Sequence, residues 1–172
     1  MEFLLARIYL VAIFAILLLS AIFLALQIQL RQNLEKTLVE IQSEPEKDVN
    51  PYENRFKLGQ IYLRKKIYTK AIEEFSECAE NWDKNDRLGL ASVFNSLGFT
   101  YYQLDENQRA IEYYKTALEL TPDYTTCLLN LGYAYKAQNQ LEDLMSLVNQ
   151  MTQYEPDHPK LADLELWLNR YK

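Results

Sequence analysis

A chain of 172 residues, nearly half of them apolar, can form one modest soluble domain and an attachment, and its composition is not that of a disordered segment. The formal charge is −6, and residues 1–42 contribute nothing to it, because Arg7, Arg31 and Lys36 balance Glu2, Glu35 and Glu40. An acidic domain without a basic stripe is a poor match for nucleic acid, whose binding depends on several phosphate-facing cations.

Residues 8–26, IYLVAIFAILLLSAIFLAL, are an uncharged run of 19. At about 1.5 Å per helical residue, such a run matches the thickness of a bilayer's hydrocarbon core. A cleaved signal peptide is the competing reading. It would call for a basic start and a small-x-small cleavage site, whereas the run follows Met-Glu and residues 24–27 offer no such site, so a retained membrane anchor is expected. Arg7 flanks it on one side and Arg31, Lys36 and Lys47 on the other, which places the remainder of the chain on the cytosolic or stromal side. Leu30, Leu34, Leu38 and Ile41 then recur at helical spacing, extending the helix to about Gln42 with an apolar stripe that must lie on its own domain, on a partner or on the membrane surface. Residues 43–51, SEPEKDVNP, carry two prolines and charge and form a linker. The expected division is therefore 1–42 anchor and amphipathic extension, 43–51 linker and 52–172 soluble domain.

Within that domain, residues 94–122, FNSLGFTYYQLDENQRAIEYYKTALELTP, have the spacing of two packed antiparallel helices. Phe94, Leu97 and Tyr101 fall on one face of a first helix with Gly98 at the crossing. Ala110, Tyr114 and Ala117 line the second, and Pro122 ends it. This pattern resembles the 34-residue tetratricopeptide repeat. Thirty-four residues on, Leu128, Leu131, Gly132 and Tyr135 repeat it, while the following helix carries the larger Leu144, Val148 and Met151 and should cross at a wider or shifted position. Upstream, Leu58, Gly59, Tyr62, Ala71, Phe75 and Cys78 match as well, but Gly59 precedes Gly98 by 39 residues. The five extra fall within residues 80–90, as a longer turn containing Gly89 or an extended helix end. The packing positions are thus Gly59, Tyr62, Ala71, Gly98, Tyr101, Ala110, Ala117, Gly132 and Tyr135. The fold class is all-α: an N-terminal transmembrane helix, then an α-solenoid of three helical hairpins at about 52–85, 91–124 and 125–158, closed by a capping helix at 158–172.

No catalytic constellation is present, and neither a cofactor nor a metal is expected. Cys78 and Cys127 lack CxxC spacing and fall on different repeats as small packing residues, and no phosphate loop occurs among four glycines. The single histidine, His158, is expected to face solvent beside a helix-capping Asp157. Function then rests on the concave face made by the first helix of each hairpin, where template register puts Phe56, Gln60, Asn95, Phe99, Tyr102, Asn130 and Tyr133. Lys57, Arg64, Ser96 and Lys136 share that face. Aromatic faces interleaved with amides suit an extended or helical segment of another protein, because amides bond both peptide N–H and C=O groups. The cationic and Asn clamp of repeats that grip chaperone C-termini is not matched, since Phe56, Gln60, Ser96 and Thr126 occupy the corresponding places.

The short apolar span at 8–26, the Leu30/Leu34/Leu38 stripe and the repeats LGFTYYQLDENQRAIEYYKTALELTPD and LLNLGYAYKAQNQ together resemble the membrane-anchored repeat proteins that act in photosystem I assembly in cyanobacteria and algal plastids. The resemblance implies a thylakoid membrane protein with its repeats in the stroma or cytosol, binding photosystem I subunits or intermediates as a scaffold rather than an enzyme. A bacterial inner-membrane adaptor for another membrane or envelope complex has the same sequence features.

Overall fold

The computed structural model describes residues 2–43, 51–154 and 156–170, and among them every regular element is an α-helix. The chain divides into two units, Met1–Lys47 and Asp48–Lys172. The first holds one helix, α1 (Glu2–Ser43), 42 residues long and therefore about 63 Å from end to end. Its membrane-length apolar stretch is Tyr9–Gln29, every side chain of which is exposed. Within that stretch the Ser20 hydroxyl donates to the Leu17 carbonyl at 2.8 Å, so it is satisfied inside the helix, as an apolar surrounding requires. Helical backbone continues through residues 30–43, but the side chains of Leu30, Leu34, Leu38 and Ile41 lie outside the described residues, as do linker residues 44–50.

The second unit is a stack of helical hairpins. Its elements are α2 (Pro51–Arg64), α3 (Tyr68–Asn81), α4 (Arg87–Gln103), α5 (Asn107–Leu120), α6 (Thr125–Ala137), α7 (Leu141–Tyr154) and α8 (Pro159–Leu168). Each helix packs on its sequence neighbour, and α2, α4, α6 and α8 also meet in succession, which is the geometry of a solenoid. The hairpins depend on contacts between a glycine and a ring. A Cβ placed on Gly59 would lie 2.6 Å from the Phe75 ring, and one on Gly98 would lie 2.7 Å from the Tyr114 ring and 3.1 Å from the Ala110 carbonyl. Phe75, Tyr114, Ala71, Ala110 and Ala117 are fully buried there. In the third hairpin Leu144, Val148 and Met151 are buried, Val148 being smaller than the Tyr114 it replaces, α6 and α7 pack less extensively than α4 and α5, and the capping helix enters the gap. Leu164 of α8 comes within 2.7 Å of a Cβ built on Gly132.

One turn design closes all three hairpins. Lys66, Asp105 and Asn139 have φ of 59°, 62° and 55°, each two residues past the end of its helix. The N–H groups of Ile67, Glu106 and Gln140 then donate to the carbonyls of Tyr62, Tyr101 and Tyr135 at 2.9–3.0 Å. This is the left-handed helix ending that satisfies otherwise orphaned carbonyls, built here without glycine.

The five extra residues resolve into a specific structure. Helix α4 has 17 residues against 14 in α2 and 13 in α6, so most of the surplus is an added first turn rather than a longer loop. Gly89 is therefore inside a helix, not in a turn as its polar surroundings suggested. The carboxylate of Asp86 accepts from the Gly89 N–H at 2.9 Å and from the Trp82 indole N–H at 2.9 Å. A side chain at 89 would run into both partners, with Asp86 Oδ2 and Trp82 Nε1 inside 3 Å. The same added turn carries Arg87, whose guanidinium donates to the carbonyls of Glu119 and Leu120 at 2.8–3.2 Å and caps the C-terminus of α5. At α8 the capping assignment also changes: His158 is the N-cap, its Nδ1 accepting from the Lys160 N–H at 3.2 Å, and Asp157 is exposed.

Two stability predictions follow from this packing. Gly98→Ala forces a methyl into the Tyr114 ring and a backbone carbonyl, and should cost ~2 kcal/mol by overpacking. Gly89→Ala displaces a cap but adds helix propensity, two effects of about 1 kcal/mol each in opposite directions, so chemical denaturation should show the smaller change there. Lys66→Gly should raise the midpoint, since a non-glycine left-handed residue costs ~1 kcal/mol, and should help more than Asn139→Gly, because Asn already tolerates that conformation.

Candidate functional site: the concave face

The first helices of the hairpins bring most of the expected groove residues onto one surface. On α4, Asn95, Phe99 and Tyr102 are spaced by four and three residues and share a face. On α6, Asn130 and Tyr133 do the same. The two helices are tied together by side-chain amides: Asn130 Nδ2 donates to Asn95 Oδ1 at 3.0 Å, and Asn95 Nδ2 lies 3.4 Å from the Tyr124 hydroxyl. These amides are partly consumed by each other rather than standing free for a ligand backbone, and Asn95 is only 9% exposed. Phe99, Tyr102 and Tyr133 are half-buried, with their inner edges on the hydrophobic core and their remaining surface available to a partner.

The first hairpin contributes less than expected. The Phe56 ring lies 5.6 Å from Phe75 and 5.9 Å from the buried Trp82, so it packs within the hairpin. Trp82 directly follows α3, its N–H donating to the Cys78 carbonyl and its indole to Asp86, which holds it where Phe56 covers it. Gln60 is exposed. Tyr101, expected as an inner packing residue, is half-buried and stacks on Tyr113 at 5.3 Å with the rings 6° apart, and the Arg109 guanidinium lies 5.4 Å from its centroid.

Sequence reasoning passed over the capping helix. Continuing the 34-residue spacing beyond Pro156 puts Trp167 in the same column as Phe99 and Tyr133, and Arg170 in the same column as Tyr102 and Lys136. The structure bears on this directly: Lys136 Nζ sits 6.0 Å from the Tyr133 centroid and 5.8 Å from the Trp167 centroid, so α6 and α8 share one surface. Burial pushes the Tyr133 phenol above its ordinary value, with the nearby Asp163 carboxylate and Tyr102 adding to the effect. The register of α8 was the signal that could have found Trp167 and Asp163.

Among the described residues no three or more His, Cys, Asp or Glu side chains gather as a metal site. Both cysteines are free and fully buried, with Cys78 Sγ donating to the Tyr52 carbonyl and Cys127 Sγ to the Tyr114 carbonyl, each at 3.4 Å. Burial pushes both thiols up to about 12, with the Glu74 carboxylate assisting at Cys78.

Comparison with known proteins agrees with this architecture. Tetratricopeptide repeat family models match residues 53–123 and 101–168. Among solved structures, the repeat protein YrrB superposes with a TM-score of 0.64 at 20% identity, over 84% of this chain and 72% of that one. The Arabidopsis OM64 TPR domain gives 0.62 at 16% identity, over 70% and 96%. A stack of repeats with a concave face of aromatic, amide and cationic side chains defines a tetratricopeptide-repeat protein, a class built to hold other proteins. In sequence, the ycf37 protein of Guillardia theta is 33% identical over 95% of this chain and 92% of its own length. The chloroplastic tetratricopeptide repeat domain-containing protein PYG7 of Arabidopsis thaliana is 27% identical over 87% of this chain and 50% of its own length, and the photosystem I assembly protein Ycf3 of a Synechococcus strain is 26% identical over 54% and 57%. The chain belongs to the ycf37 family of tetratricopeptide-repeat proteins.

The buried thiols yield a prediction. With so little thiolate at neutral pH and no access, neither cysteine should react with an aromatic disulfide reagent in the native protein, and both should react once guanidinium unfolds it. Rapid native labelling of either would contradict the packing described for α3 and α6.

Proposed function

We propose that this protein is a membrane-anchored scaffold that holds protein partners during the assembly or stabilisation of photosystem I. The observation that carries the reading is a concave, aromatic-lined repeat surface in a chain whose relatives include proteins named for photosystem I assembly and for the chloroplast. Holding rather than transforming its partners fits a groove of Phe99, Tyr102, Tyr133 and amides, which offers contact area and hydrogen bonds but no nucleophile or paired acid and base.

The apolar stretch Tyr9–Gln29 supports a single-pass anchor, with residues 1–42 as the membrane unit, 43–51 as linker and 52–172 as the working domain. Arg31, Lys36 and Lys47 beyond the span support a stromal or cytosolic position for the repeats at a plastid or cyanobacterial thylakoid. The partner is a segment of a photosystem I subunit or assembly intermediate. Anchoring the scaffold in the membrane where those subunits insert raises their local concentration at the groove.

The test is a Phe99→Ala, Tyr102→Ala and Tyr133→Ala triple variant, in a photosynthetic host that lacks this protein. Asn95 and Asn130 are left intact because their mutual hydrogen bond contributes to the array. Interface aromatics often contribute ~2 kcal/mol or more each, so the triple change should lower partner affinity by well over a hundredfold, even with imperfect additivity. The variant should accumulate in membranes and fail to restore photosystem I. Full restoration at normal abundance would remove the groove from the mechanism.

A further inference from the structure

We infer that the C-terminal half of the groove, between α6 and α8, takes an acidic segment of a partner protein whose apolar side chains seat between the groove aromatics. The inference rests on the reading of the groove as the working surface and adds the chemistry of what it holds.

Two columns of side chains carry the argument. Phe99, Tyr133 and Trp167 recur at intervals of 34 along α4, α6 and α8, and Tyr102, Lys136 and Arg170 recur three residues after them. An aromatic row is thus flanked by a row that becomes cationic toward the C-terminus. Lys160 lies three residues before Asp163 on α8 and shares its helical face with Trp167, and Arg170 follows two residues past the end of that helix. That face is tied to the groove at two points, Asp163 beside Tyr133 and Trp167 beside Lys136.

Cations gather at this face although the protein has a net charge of −6: Lys136 sits between the Tyr133 and Trp167 rings, Lys160 lies one turn before Asp163, and Arg170 continues the Tyr102 and Lys136 column. Among the described residues, ion pairs form at Arg55 with Glu74 and at Arg109 with Glu106, and none involves these three cations. Lys136 is half-buried and held over two ring faces, which fixes its ammonium without neutralising it. A carboxylate arriving along the groove completes that site, whereas a cation is repelled by it. The aromatic row gives the flanking apolar residues a place to bind, so the ligand is an acidic segment bearing aliphatic or aromatic residues. A concave surface lined by helices admits a chain segment more readily than a flat bilayer, which favours protein over anionic lipid.

The experiment uses the full chain in phosphatidylcholine nanodiscs, with empty nanodiscs as the blank. Three fluorescent peptides share the same Leu and Phe positions and carry Glu, Gln or Lys at the alternating ones. The Glu peptide should bind about tenfold or more tightly than the Lys peptide at low salt, and the difference should shrink as salt rises. Lys136→Glu should abolish or reverse that preference and Lys136→Gln should weaken it. Lys84→Glu, an equal charge change in the exposed loop before α4, should leave it intact. Melting curves for Lys136→Gln keep the result interpretable if Lys136→Glu unfolds. Equal or stronger binding of the Lys peptide, indifference to Lys136, or displacement by phosphatidylglycerol vesicles without a preference for Glu over Gln would each overturn the inference. If these fail while the aromatic triple variant still cannot restore photosystem I, the acidic ligand is wrong and the groove reading stands. If the triple variant restores it, the groove reading itself falls.

Discussion

The solenoid depends on the absence of a side chain at Gly59 and Gly98. At each, a buried ring from the following helix occupies the volume that a Cβ would take, so the two helices of a hairpin approach closely along a line set by Phe75 or Tyr114. Once that line is fixed, the rotation of α4 about its axis is fixed too. Leu97 then faces inward, and Phe99 and Tyr102 are turned partly outward. The groove is thus a consequence of the crossing, because no residue on it needs to be selected for direction once the glycine and the ring have met.

The insertion between the first two hairpins shows how a repeat array accommodates a break in period. Five residues could have formed a loose loop, yet most become an extra turn of α4, stabilised by Asp86 and Trp82 and used to cap α5 through Arg87. A longer helix buries backbone polar groups that a loop would leave to water, and Arg87 satisfies carbonyls that α5 alone cannot. Trp82, held by Asp86, also takes Phe56 into packing, so the proposed ligand surface is concentrated on α4, α6 and α8.

The last helix has two roles that come from one feature. In the third hairpin, Leu144 and Val148 replace the small residue and the aromatic of the second, and the resulting gap near Gly132 is filled by Leu164. Docking α8 by that leucine carries Trp167, three residues on, to the groove as well, and Asp163 lies one turn before Trp167 on the same face. Capping the hydrophobic core and extending the proposed ligand surface are therefore achieved by a single placement.

The repeat pattern was fully legible in the sequence because it records a local requirement: glycine at a crossing, alanine and a ring opposite it, all within one hairpin. The apolar length of α1 was legible for the same reason, being a property of consecutive residues. Groove positions were legible only as register. Phe99, Tyr102 and Tyr133 occupy it, but whether Phe56 projected or packed depended on Trp82, 26 residues away, and whether Asn95 was free depended on Asn130, 35 residues away. Gly89 was misplaced for a similar reason, since its polar neighbours signal a turn until Asp86 and Trp82 are seen to cap a helix there. The sequence by itself determined which residues pair within a repeat; only the tertiary structure decided how repeats meet, because those contacts join residues whose spacing along the chain obeys no local period.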